Sequence, residues 1–297
     1  MRILYIDHFD PKNSNLIWLS AFSRRGEVKT YDVYSNKLNN LIAILNSFRP
    51  HHIHLGGSVK KYMIPLEMLD AMRKKATISV FYGDAAYSKY HYDLAKHVDM
   101  IYISNKTHIE KNKSAGSNYV YMPCPTDTNI FYNEKLETIY DLSFIGNNNQ
   151  PNRYKLVKHL HDKYNMHVFG SGWDLKLSNP GVYNDEFRRV CCRSKICISI
   201  LDDKHTGLDS YFSNRLINIM ATGGCCITSY STNLESVFDR GYHVEWFKSI
   251  DELDAVVENC LSNSNHMNNM GNNALNIVRS KYTYDKSVDL ILSEWGK

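Results

Sequence analysis

Ser213, Asn214 and Arg215 stand at the head of an apolar stretch, Leu216, Ile217, Ile219 and Met220, that closes on Gly223-Gly224. The spacing predicts a helix of about three turns within Tyr211 to Thr228. Free backbone N–H groups and the positive end of the helix dipole collect at such a start, and a guanidinium adds a full charge. The combination suits a phosphate-bearing ligand. An ordinary capped core helix shows the same residue types, and this stretch alone leaves both readings open. The paired glycines end the helix in conformations that residues with a Cβ resist.

A second strand–turn–helix, DLSFIGNNNQPNR, runs from Asp141 to Arg153. Gly146 and Asn147 open its turn, Pro151 suits a first helical turn, and Arg153 follows. The turn could grip a phosphate or be a plain structural turn; it lacks the spacing of a dinucleotide fingerprint and the Gly-Lys-Ser/Thr of a P-loop. In the loop FGSGWD, Gly170 and Gly172 flank a chain that ends on Trp173, which either shapes a pocket for a planar ring or packs across a domain surface. Val182 and Tyr183 could line the same pocket.

Acid–base candidates are few. His205, in the Asp202-Asp203-Lys204-His205 loop, could act as acid, base or hydrogen-bond donor, or be an unremarkable loop histidine. In the first half, Asp84 and the Asp7-His8 pair stand where strands are expected to end, although carboxylates at such places also serve as turn caps. His51, His52 and His54 alternate along one strand and cannot all face one site, so they read as structural or surface groups. No two aspartates are spaced D-x-D, so a divalent-metal clamp on a diphosphate is not indicated and no metal is expected. The serine-hydrolase elbow, the zinc-protease helix and the kinase signatures are absent, which weighs against those classes.

The elements that must position these residues alternate. Short apolar runs such as Arg2 to Asp7, His51 to Leu55 and Thr77 to Tyr82 are separated by helical stretches, the pattern of a doubly wound parallel sheet that binds ligands at its carboxyl edge. Pro123-Cys124-Pro125 interrupts the pattern, and Thr126 to Glu137 is polar and irregular. The expected division is therefore 1–135 and 136–297, two α/β Rossmann-like units facing a cleft, with a last helix near Asp285 to Trp295 crossing back to the first. The chain has 297 residues, 43% of them hydrophobic, enough for two cores. Its net charge of +4 is carried by the first half, too small an excess to define a nucleic-acid binder. Seven cysteines, two pairs of them adjacent and none spaced C-x-x-C, point to reduced thiols and a cytoplasmic location. No apolar run approaches the roughly 18–20 residues of a membrane span, and MRILYIDHFD meets an acid too early for a secretory leader.

In order and rough spacing, YDLSFIGNNNQPNR, HVFGSGWD, KICISILDDKH, SNRLINIMATGGCCIT and KYTYDKSVDLIL resemble the second domain of the CgeB/YkvP-type (spore-protein-like) glycosyltransferases, a branch of the GT-B enzymes. The stretch YGDAAYSKYHYDLAKHVDMIYISNK is more loosely similar to their first domain. The resemblance implies a nucleotide-diphosphate sugar, with UDP as its carrier, held by the second domain, and a hydroxyl acceptor entering from the first, a hydroxylated base in DNA or else a glycan. It implies that Gly146 and Arg153 face the diphosphate, that the FGSGW turn with Val182 and Tyr183 holds the base, and that Arg215 offsets charge in the transition state. Asp84, then His8, would be the acceptor base of an inverting enzyme; His205 would support the sugar or leaving phosphate of a retaining one. One departure stands out: the family places Glu where this chain has Asn218. That substitution is the feature that favours a non-catalytic nucleotide- or sugar-binding shell; a sugar-nucleotide epimerase is a third expectation.

Overall fold

The structure is a computed structural model describing residues 1–10, 15–60, 63–83, 89–112, 118–176 and 178–293. It contains two six-stranded parallel sheets. The first consists of β1 (Arg2–Asp7), β2 (Glu27–Asp32), β3 (His52–Leu55), β4 (Thr77–Tyr82), β5 (Met100–Ile103) and β6 (Asn118–Tyr121), in the order β2-β1-β3-β4-β5-β6. The second consists of β7 (Tyr140–Ile145), β8 (His167–Phe169), β9 (Ser178–Asn179), β10 (Ser194–Ser199), β11 (Cys225–Ser229) and β12 (Glu245–Phe247), in the order β12-β11-β10-β7-β8-β9.

Helices cover both faces of a doubly wound sheet, so its central strands read as continuous apolar runs. Ile3, Leu4, Tyr5 and Ile6 of β1 are fully buried. In the second sheet, Leu142 and Phe144 enter the core on one face with Ile196 and Ile198. Ile145 enters the core on the other face with Cys197 and Cys226. That second core also takes Leu216, Ile217, Ile219 and Met220, so the helix Asn214–Ala221 buries the apolar face its spacing predicts.

The chain divides into two compact units, Met1–Pro123 with Tyr284–Lys297, and Cys124–Thr283. The division falls earlier than residue 135 because the segment after Pro123 is pinned to the second unit. Phe131 enters that unit's core, and the buried Arg188 donates to Ile130 O at 2.7 Å and to the Glu134 carboxylate at 2.8 Å. The last helix, Tyr284–Ser293, belongs to the first unit. Tyr284 meets Trp18 edge-on at 5.0 Å, Tyr102 Oη donates to Ile291 O at 3.3 Å, and Arg25 pairs with Asp285 and Asp289. Among the described residues no helix is long and apolar enough to cross a membrane.

Candidate functional site

In the second sheet β7 and β10 lie side by side although two strands separate them in sequence. Chain direction across the sheet reverses there, and a crevice opens between the carboxyl ends of the two strands. A pocket of about 370 Å³ occupies this place, formed wholly by residues of the second unit. Two guanidiniums, Arg153 and Arg215, reach its wall, and Phe131, Phe169, Val182 and Phe187 give that wall its apolar part. Among the described residues no carboxylate lines it.

Arg215 is set by its helix. Ser213 caps the helix, its hydroxyl accepting the Leu216 N–H at 3.5 Å, which aims the first turn at the crevice. Arg215 Nη1 donates to Ile200 O, just beyond β10, at 3.0 Å, and the guanidinium lies 5.0 Å from the centre of the Phe144 ring. Its Nη2 points at Gly146, where a Cβ would sit only 2.6 Å away; glycine there makes the approach possible. Burial, reinforced by the Arg153 charge, lowers the Arg215 pKa to about 10. The group is therefore cationic at neutral pH, and an incoming anion would relieve its repulsion with Arg153.

Arg153 is held differently. It is buried in the first turn of the helix Pro151–Tyr164; its Nη1 donates to Asn147 O and the Asn149 side chain, and its Nη2 to Ile200 O and the Asp202 carboxylate. Asp202 neutralises its charge. It braces the turn after β7 against the end of β10. The turns after β7 and β8 are themselves zipped together. Asn147 Oδ1 accepts the Ser171 N–H at 3.0 Å, Asn148 N donates to Ser171 O at 2.9 Å, and Asn148 Nδ2 donates to Gly172 O at 2.8 Å. A Cβ on Gly170 would come within 2.2 Å of Gly146 O, and Gly172 holds φ +80.

The other expected residues fall in distinct places. Gly146, Asn147, Arg153, Val182, Tyr183, Arg215 and Asn218 line the pocket, with Tyr183 73% exposed at its rim. Trp173 does not line it: its Nε1 donates to Gly146 O at 2.8 Å and its ring stacks on Tyr154 at 6.2 Å, so it supports the turn from behind. Ser213, Asn214, Gly170 and Gly172 build the surrounding turns. His205, on the short helix Asp203–Thr206, meets the Tyr211 ring at 5.1 Å and is outside the pocket lining.

The candidates of the first unit lie at the carboxyl edge of its own sheet. Asp7 is a buried staple, accepting from Tyr5 Oη at 2.8 Å, His8 N at 2.9 Å and Ser58 N at 3.0 Å. His8 Nδ1 lies 3.1 Å from Asp32 Oδ2. Burial pushes the Asp32 carboxyl up, but N–H groups of Phe9, Tyr34 and Ser35, with His8, reverse this and leave it at about 2. Asp84 lies outside the described residues. His52 and His54 are buried on one face of β3 and share Ser79 Oγ, at 3.0 and 2.7 Å, as structural groups. His51 is apart from them, its Nδ1 accepting the Arg2 N–H.

Sequence reasoning missed Phe131, Phe187, Asn149 and Gly181 as lining residues, and the roles of Thr126, Asp32 and Asp202. Phe131 and Thr126 sit in the irregular segment, where no periodicity marks them; the run of three asparagines after Gly146 was the one signal that could have singled out Asn149.

A family model described as glycosyl transferase-like matches residues 153–293. No curated protein matches the chain. Among solved structures it is similar to a glycosyltransferase from Rickettsia africae ESF-5, at 10% identity over 99% of this chain and 97% of that one, TM-score 0.73. It is similar to an alpha-glucosyltransferase in complex with UDP and a 13-mer DNA containing an HMU base, at 10% identity over 100% of both chains, TM-score 0.70. It is also similar to Anabaena Alr3699/HepE in complex with UDP and glucose, at 10% identity over 99% of this chain and 100% of that one, TM-score 0.67. The fold class is GT-B, with two Rossmann-like units.

Proposed function

We propose that this chain is a glycosyltransferase of the CgeB/YkvP type that binds a UDP-linked sugar in the pocket between β7 and β10 and transfers the sugar to a hydroxyl acceptor. The observation that carries the reading is the pocket wall: two guanidiniums, amide side chains and aromatic rings, with no carboxylate among the described residues. Such a wall suits an anion joined to a planar ring. In the transfer the sugar C1–O bond to the diphosphate breaks, the acceptor oxygen bonds to C1, and the acceptor proton leaves. Negative charge grows on the departing diphosphate, and the open Nη2 edge of Arg215 is placed to stabilise it. Arg153, already neutralised by Asp202, positions the turn. With a guanidinium in this role, the proposed reaction calls for no metal ion.

For the acceptor we favour a hydroxylated base in DNA. Its support is the basic first half of the chain and the likeness to a transferase solved with modified DNA. A base in a duplex must be flipped out to reach a buried site. A glycan acceptor is the second reading. The first experiment incubates purified protein with UDP-glucose and related nucleotide sugars without acceptor, reading thermal shift and released UDP. Stabilisation by one donor with slow hydrolysis is expected; a nucleotide-binding shell would be stabilised without hydrolysis.

A further inference from the structure

Asn218 enters the pocket three residues after Arg215 on the same helix face, and a single partner decides which end of its amide faces inward. Thr126 Oγ1 lies 2.7 Å from Asn218 Oδ1. Thr126 is 1% exposed; its N–H donates to Tyr282 O at 2.8 Å and it bridges to Thr283, so its hydroxyl is fixed away from water. Among the described residues that hydroxyl has one hydrogen-bond partner, Asn218. If the amide were turned over, Nδ2 would donate to Thr126 Oγ1 and the hydroxyl proton would be buried without an acceptor, at the desolvation cost of that group. With Oδ1 on Thr126, every buried polar atom of the pair is satisfied.

We infer that Thr126 is a positioning residue that locks Asn218 as a hydrogen-bond donor to the ligand, so that the pocket selects an acceptor oxygen at this point. The inference rests on the nucleotide reading above. With Oδ1 engaged, the two N–H groups of Nδ2 are left for the ligand, and among the described residues no protein group takes them. A nucleotide offers two kinds of acceptor oxygen within reach of such a pocket, on its ribose and on its diphosphate. In this pocket a carboxylate at position 218 would replace the donor by acceptors and set a negative charge one turn from Arg215, which opposes an acceptor oxygen of the ligand at that point.

Calorimetric titration of the full chain with UDP and with uridine tests this. Asn218→Asp should weaken UDP binding at least about tenfold, and Thr126→Val by about three- to tenfold, while Thr126→Ser binds as the parent chain does. In an Asn218→Ala background Thr126→Val should cost nothing further, because its effect passes through the amide. A loss shared by uridine places the acceptor oxygen on the ribose; a loss confined to UDP places it on the diphosphate. Asn218→Asp binding UDP as tightly as the parent overturns the inference, as does Thr126→Val weakening the Asn218→Ala chain as much as it weakens the parent. A parent chain that binds no UDP overturns the nucleotide reading and this inference with it. Parent binding that none of the variants alters overturns this inference alone.

Discussion

Arg215 and Arg153 donate to the same acceptor, Ile200 O, at 3.0 and 3.3 Å. Two like charges share one carbonyl at the carboxyl end of β10, and among the described residues only Arg153 forms an ion pair with a carboxylate. The arrangement separates their roles: Arg153 holds the architecture, and Arg215 carries the unbalanced charge that an anion would meet.

Removing each should therefore give different losses. Arg215→Ala should lower transfer by about 10²–10³-fold, with the melting temperature little changed. Arg153→Ala leaves Asp202 without its partner and frees two turns, and should destabilise the second unit by about 3 kcal/mol. Steady-state kinetics beside thermal unfolding separate the two; equal destabilisation by both would contradict the division.

Gly146→Ala should act through Arg215. The added Cβ would lie 2.6 Å from Arg215 Nη2, and the flexible guanidinium end must move. Nucleotide affinity should fall by about tenfold or more while the fold persists. In Gly170→Ala the clash is with backbone, at 2.2 Å from Gly146 O, so that variant should lose stability first. Paired calorimetry and thermal unfolding check the order.

Acid should destabilise the first unit in two stages. Burial lowers the His52 pKa to about 3 from the ordinary 6.5 and pushes His54 well below that ordinary value. The unfolded chain then binds protons that the folded one refuses. The His52 contribution is complete above pH 6.5 and is lost as pH falls from there towards 3, at about 1.4 kcal/mol per unit. Asp32, at about 2 against an ordinary 3.8, adds a loss below 3.8. His52→Gln should flatten the upper stage in chemical unfolding measured against pH; an unchanged slope would contradict it.

Chelation should leave transfer unchanged, since the proposal assigns charge stabilisation to Arg215. Assays with and without EDTA check this, and loss of activity restored by a divalent ion would contradict it.

Much of this was legible in the sequence, for identifiable reasons. Buried parallel strands leave uninterrupted apolar runs, and the turns that shape the pocket need Gly146, Gly170 and Gly172, so strand and turn signals meet at the site. Arg215 was legible because a helix start after a polar stretch places a charge where dipole and crevice coincide. Trp173 was legible as a residue near the pocket, but not as one facing away: whether its ring enters the pocket or stacks on Tyr154 is a packing outcome that no local pattern encodes. Phe131 and Thr126 were invisible because the segment joining the two units has no period, and its residues acquire meaning only when Arg188 and Tyr282 pin it. The two-residue strand β9 is too short to carry an alternation.

If DNA is the acceptor, phosphate contacts should make its binding depend on salt. With duplex DNA carrying hydroxylated bases, the KM for DNA should rise at least about tenfold between about 50 and 200 mM salt, while the KM for the sugar donor hardly moves. A DNA KM indifferent to salt would turn the assignment toward a glycan.

The most direct measurement is UDP titrated into the parent chain and into Arg215→Ala by calorimetry, with UDP-glucose turnover followed in the same preparations. The account predicts that the parent binds UDP and releases it from the donor, and that Arg215→Ala folds as the parent does yet loses most of both. A parent that ignores UDP, or an Arg215→Ala chain that binds and turns over like the parent, would contradict it.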